Sequence, residues 1–133
     1  MVANFSKKGR ALVVDDDSLV RNAIRLVLVS DGYDVQTAAG GQQALAALDA
    51  GEFDLIVLDF EMPDMKGDQL AEIIKQRLPR LPIIMLTAYG EMLRGSARPM
   101  TGVDQLVDKP FSLEALREGI ARAFALYKDA PKA

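Results

Sequence analysis

Short apolar runs without alternation are interleaved along this chain with longer segments whose apolar residues recur every three or four positions. Continuous runs suit strands buried on both faces, as in parallel sheets, and the wider spacing suits helices with one buried stripe. Arg10 to Val14 predicts the first strand. From Ser18 to Ser30 the residues Val20, Ile24, Val27 and Leu28 predict a helix, with Asp17 or Ser18 as its cap and Asp31-Gly32 as its stop. Tyr33 to Ala38 reads as a more amphipathic strand. An Ala/Leu-rich helix then runs from Gly40-Gly41 to about Gly51. Leu55 to Leu58 is the third strand and Pro82 to Thr87 the fourth, with a helix from about Gly67 to Leu78 between them, stopped by Pro79. Leu106 and Val107 form the core of a short fifth strand. The last helix takes Ser112 as N-cap, carries Glu114 in its first turn and is expected to bury Leu113, Leu116, Ile120, Phe124 and Tyr127.

Five strands alternating with helices at short intervals predict an α/β fold, a doubly wound five-stranded parallel sheet with helices on both faces. One segment departs from the pattern. Between Thr87 and Asp104, where a fourth helix belongs, Gly90, Gly95, Pro99 and Gly102 are poor helix residues, so that helix is expected to be short, kinked or mobile. Residues 1–9 read as a flexible lead-in, 10–128 as one domain and 129–133 as a tail.

Composition narrows the chemistry. The 133 residues, half of them apolar, suffice for one domain with one core. There is no cysteine and no histidine, so imidazole bases, His-ligated zinc and thiolate chemistry are excluded and the carboxylates become the suspects. A net charge of −3 with scattered basic residues argues against a direct nucleic-acid surface. The N-terminus lacks the apolar core of a signal peptide and no run approaches a membrane span, so the expected location is cytoplasmic, without membrane association.

In a doubly wound sheet, ligands bind outside the carboxyl ends of the strands. Those ends deliver Asp15, Asp16, Asp59, Thr87 and Lys109 to one edge. Each has an ordinary explanation: a cap or solvated loop for the Asp run, β-propensity for Thr87, a surface position for Lys109. Their coincidence at one edge is not explained that way. Three crowded carboxylates with no thiolate or imidazole nearby select a hard divalent cation, Mg²⁺ or Mn²⁺. With that cation and Lys109 the charges balance, and the site is suited to an incoming phosphoryl group, whose transfer needs mainly positioning and charge neutralisation.

The motifs LVVDDD, LIVLDFEMPDMKG, IIMLTA and DKPF occur in that order, and with them the chain resembles the receiver domain of two-component response regulators from about Arg10 to Tyr127. The resemblance implies a flavodoxin-like (βα)5 domain with strand order 2-1-3-4-5. It implies that Asp59 is the phosphoacceptor, taking a phosphoryl group from a phosphohistidine on a partner histidine kinase or histidine phosphotransfer protein. It further implies Mg²⁺ bound by Asp16, Asp59 and the main-chain carbonyl of Glu61, with Asp15 acting through water, while Thr87 and Lys109 bind the phosphoryl oxygens. A cis bond between Lys109 and Pro110 belongs to the same pattern. Glu61 and Tyr89 would flank the phosphoryl group and tune its lifetime. At the switch position, where the family usually carries an aromatic residue, stands Leu106, which offers neither hydroxyl nor large ring. Readout is therefore expected to pass through an ordering or shift of Gly90 to Gly102.

No output domain follows the last helix, so the expectation is a single-domain regulator or relay intermediate, a monomer or weak dimer acting on an output protein that the sequence does not name. Partners are expected on a surface joining the first helix, at Leu26 and Val29, with the segment from Gly90 through the last helix. Two alternatives stand beside this: a degenerate receiver serving as a docking module, and a Mg²⁺-dependent phosphatase using Asp59 as nucleophile. The haloacid dehalogenase-like phosphatases pair their nucleophile with a second Asp two residues on, where this chain has Glu61.

Overall fold

The computed structural model describes residues 8–95 and 101–127. Its strands are β1 (Gly9–Val14), β2 (Tyr33–Ala38), β3 (Leu55–Asp59), β4 (Ile83–Thr87) and β5 (Gln105–Asp108). The helices are α1 (Ser18–Ser30), α2 (Gly41–Ala50), α3 (Gly67–Arg77), α4 (Gly90–Arg94) and α5 (Leu113–Ala125). All strand pairs are parallel and their order is β2-β1-β3-β4-β5, the predicted topology.

The central strands β3 and β4 are buried along their whole length because helices cover both faces. On one face Leu12, Val14, Ile56, Leu58, Ile83 and Met85 pack against Ala44 and Ala47 of α2 and Leu70, Ala71 and Ile74 of α3. On the other, Ala11, Val13, Leu55, Val57, Ile84 and Leu86 pack against Ile24 and Leu28 of α1 and Leu116, Ile120 and Ala123 of α5. Alternate residues of each strand therefore serve opposite cores, which is why these strands read as unbroken apolar runs.

Several expected boundaries shift. β1 begins at Gly9, expected in the lead-in, and Gly9 pairs with Tyr33. β3 extends one residue to include Asp59, because the ladder continues with the Phe60 amide donating to the Leu86 carbonyl. In α5, Leu113 was expected in the core but is 42% exposed. It occupies the first helical position, a turn before the helix meets the sheet at Leu116 and Gly119; a side chain at Gly119 would press on Val107. Phe124 and Tyr127 are half-buried. Residues 1–7, Pro99 and the tail at 129–133 lie outside the described residues.

The fourth helix is short, as its glycines predict: α4 has 5 residues. Arg94 pins it to β5, reaching Asp108 at 3.1 and 3.2 Å. Gly90 sits so close to the Asp108 carboxylate that a side chain there would displace it.

Candidate functional site

The run Asp15–Asp17 follows β1 at the carboxyl edge of the sheet and divides into two roles. Asp17, not Ser18, is the N-cap of α1, its Oδ1 accepting from the Leu19 and Val20 amides at 2.9 and 3.4 Å. Asp15 and Asp16 are left for the site. Asp15 is almost fully buried, with Oδ1 accepting from the Asp17 amide at 2.9 Å, and Arg21 donates to its main-chain carbonyl at 2.8 Å. Asp16 is exposed.

The ends of β3, β4 and β5 supply the rest. Asp59 is 6% exposed and Thr87 1% exposed. Lys109 follows β5 and its amide donates to the Thr87 carbonyl at 2.8 Å, while the Lys109–Pro110 bond is cis as expected. The Lys109 ammonium lies 2.7 Å from Asp59 Oδ1 and 3.3 Å from Asp15 Oδ2. Carboxylate oxygens of Asp15, Asp16 and Asp59 all lie within 4.8 Å of one another. Sequence separation of up to 94 residues is closed by four adjacent strands ending at one edge. All five residues expected from the sequence are thus brought together.

The electrostatics follow from burial and crowding. Burial raises the Asp59 carboxyl above its ordinary range; the hydrogen bond from Lys109 opposes this, and the charges of Asp15 and Asp16 add to it. Burial raises Asp15 too, against the Asp17 amide and Lys109. For Lys109 burial acts downward, but the bond to Asp59 and the charges of Asp15 and Asp59 outweigh it, leaving the ammonium above its usual value. One ammonium against three carboxylates leaves a deficit of positive charge. The donor set is oxygen only, which fits a hard divalent cation.

Thr87 Oγ1 accepts from the Tyr89 amide at 2.9 Å, so its own hydroxyl hydrogen remains available to a new acceptor. Tyr89 is 45% exposed. Leu106 is half-buried and packs against the core on the α2/α3 face. The Glu61 side chain is engaged by Lys66 at 2.8 Å.

Two features of the loop after Asp59 were not read from the sequence. Asp64 accepts from the Gly41 and Gln42 amides at 3.0 and 2.9 Å, capping α2 from outside, and those bonds hold its carboxyl below the usual range. Gly40-Gly41 was the available signal, because α2 lacks a capping side chain of its own. The other is Lys66, a lysine at the N-cap position of α3 where a short oxygen-bearing side chain is preferred.

A profile of the response regulator receiver domain matches residues 11–121. The chain belongs to this family. Receiver relatives include the response regulator protein FleR of Pseudomonas aeruginosa, 34% identical over 85% of this chain and 24% of FleR. The transcriptional regulatory protein TcrA of Mycobacterium tuberculosis is 34% identical over 92% of this chain and 47% of TcrA. The receiver therefore spans between a quarter and a half of these relatives. Among solved structures, the response regulator TrrA of Thermotoga maritima, in complex with Mg²⁺-BeF, superposes with a TM-score of 0.77 at 33% identity, covering 86% of this chain and 97% of TrrA. Receiver membership makes this chain a receiver domain of two-component response regulators rather than a classical enzyme. Relatives named as transcriptional regulators narrow the expectation of no nucleic-acid contact to the receiver domain itself. No described helix is long and apolar enough to cross a membrane.

Proposed function

We propose that this receiver domain accepts a phosphoryl group on Asp59 from a phosphohistidine of a partner kinase or phosphotransfer protein in the cytoplasm. An Asp59 carboxylate oxygen attacks phosphorus as the P–N bond to the donor breaks, the electron pair leaves with the imidazole, and an acyl phosphate forms. The observation that carries this reading is the Lys109 ammonium 2.7 Å from Asp59, inside a cluster of three carboxylates within 4.8 Å. Asp16, Asp59 and the Glu61 main-chain carbonyl would hold Mg²⁺, with Asp15 acting through water; Mn²⁺ has the same ligand preference. The metal's chemistry there is to neutralise charge on the phosphoryl oxygens.

Lys109, already held by Asp59 and Asp15, turns to the arriving phosphoryl oxygens, and the Thr87 hydroxyl donates to another. Glu61 and Tyr89 stand at the margin, where they govern water access and so assist or delay dephosphorylation. With Leu106 offering no hydroxyl, the change at Thr87 is read out through the short α4, which follows Tyr89 directly and rests on Asp108. Partners meet α1, where Leu26 and Val29 are 53% and 47% exposed, together with α4 and α5. Any output protein is engaged through these surfaces.

Intact mass after incubation with Mg²⁺ and acetyl phosphate tests this. The wild type gains one phosphoryl group, about 80 Da, only with the cation, and Asp59→Asn gains nothing. No gain in the wild type would favour the docking-module alternative.

A further inference from the structure

Lys66 fits its fold position poorly. It is the N-cap of α3, a place that favours Ser, Thr, Asp or Asn, and a lysine ammonium there cannot accept from the first-turn amides. Its amide needs the Gln69 side chain, which accepts at 3.1 Å. Local misfits of this kind concentrate at functional sites. Lys66 stands beside one: the loop folds back so that the Gly67 amide donates to the Phe60 carbonyl at 2.8 Å, and a side chain at Gly67 would strike the Asp59 carbonyl oxygen. The Lys66 ammonium consequently lies 5.7 Å from the Phe60 ring centre and 2.8 Å from Oε2 of Glu61, which stands two residues beyond Asp59. Both partners are half exposed, so the pair adds little to stability. What it does is cancel the charge of Glu61, two residues beyond Asp59.

We propose that Lys66 is an electrostatic positioning residue that neutralises Glu61 and sets the rate at which anionic phosphodonors reach Asp59. This rests on Asp59 being the phosphoacceptor. Phosphodonors arrive as anions at a site already rich in carboxylate, so an uncompensated Glu61 repels them at the entrance. The bond changes at Asp59 are the same with or without Lys66: the donor's bond to phosphorus breaks, its electron pair leaves with acetate, and the Asp59 oxygen takes the phosphoryl group with no net proton transfer. Only the approach differs.

The test is the rate of phosphorylation by acetyl phosphate, at saturating Mg²⁺ and low ionic strength, for wild type, Lys66→Met, Lys66→Arg, Glu61→Gln and the Glu61→Gln/Lys66→Met pair. One unit charge acting on a dianion roughly 10 Å away in water changes the rate about fourfold. Lys66→Met is expected to be about fourfold slower and Glu61→Gln about fourfold faster, while the double variant and Lys66→Arg stay near the wild-type rate. At about 1 M salt the differences collapse, since the screening length is then roughly 3 Å. Wild-type speed in Lys66→Met, a loss that persists unchanged at high salt, or a double variant as slow as Lys66→Met overturns the proposal. Absence of phosphorylation on wild-type Asp59 would instead overturn the reading on which it rests.

Discussion

Asp15 and Asp59 are buried carboxyls that share a single ammonium, and their raised pKa values are a statement about stability. An acid whose folded pKa lies above its unfolded value destabilises the fold while ionised, and that penalty fades as pH falls through the folded value. In metal-free protein, Asp59→Asn removes one of the crowded charges while leaving Lys109 with Asp15. It is expected to stabilise the domain by roughly 1 kcal/mol at pH 7. The advantage shrinks as pH drops from above the folded pKa toward the ordinary carboxylate range. Denaturant titrations of both proteins at several pH values check this; an advantage that grows on acidification would contradict the assignment of cause. Of the residues at the site, those at strand ends were legible from the sequence. Division of the Asp run was not, because Asp17 and Ser18 are equally good caps and only the bonds to Leu19 and Val20 decide between them. Lys66 was silent for a different reason: its meaning lies in what the loop folds back against.

At the scale of elements, α4 is the shortest of the described helices. Five residues cannot sustain a helix alone, and α4 owes its place to Arg94 on Asp108 and to the close seat of Gly90. Gly90→Ala pushes the Asp108 carboxylate aside and breaks the contact with Arg94. The expected result is amide exchange at residues 91–95 accelerated about tenfold or more, with β4 unaffected, measured by hydrogen–deuterium exchange. Equal protection in the variant would mean that α4 is held by something else. The glycines made the shortness of this helix readable in advance, whereas its anchor was hidden in a pairing between distant residues. Leu113 shows the converse limit. Periodicity identifies a stripe but not the turn at which a helix first touches its sheet.

Across the whole molecule the two sheet edges do different work. At the edge opposite the carboxylates, Asp104 joins α3, β4 and the end of α5: Lys75 reaches its Oδ2 at 2.8 Å, the Ile83 amide donates to the same oxygen at 2.8 Å, and Tyr127 donates to Oδ1 at 2.8 Å. Lys75 also meets the Tyr127 hydroxyl and lies 4.5 Å from the centre of its ring. A cavity of about 570 Å³ adjoins this network, lined in part by Phe53, Leu81, Phe124 and Tyr127. The carboxylate cluster sits at the other edge. Asp104→Ala leaves the ammonium of Lys75 half stripped of partners and is expected to cost about 3 kcal/mol in denaturant unfolding, with the wild-type yield of phosphorylated protein retained below the transition. Loss of phosphorylation in a folded variant would show that the edges are coupled. Strand order was implied only by the family resemblance, whereas fold class was legible because buried parallel strands announce themselves as apolar runs. This network was not, since Lys75, Asp104 and Tyr127 carry no common pattern.

The strand order has a consequence in time as well as in space. Asp59 is synthesised when β1 and β2 are already made, but Lys109 comes only with the last strand, which must pair at the far side of β4. A nascent chain that has reached α3 owns all three carboxylates and none of the lysine that balances them. Charge balance at this edge thus waits for β5, and a chain that stops short of it holds three carboxylates without their ammonium.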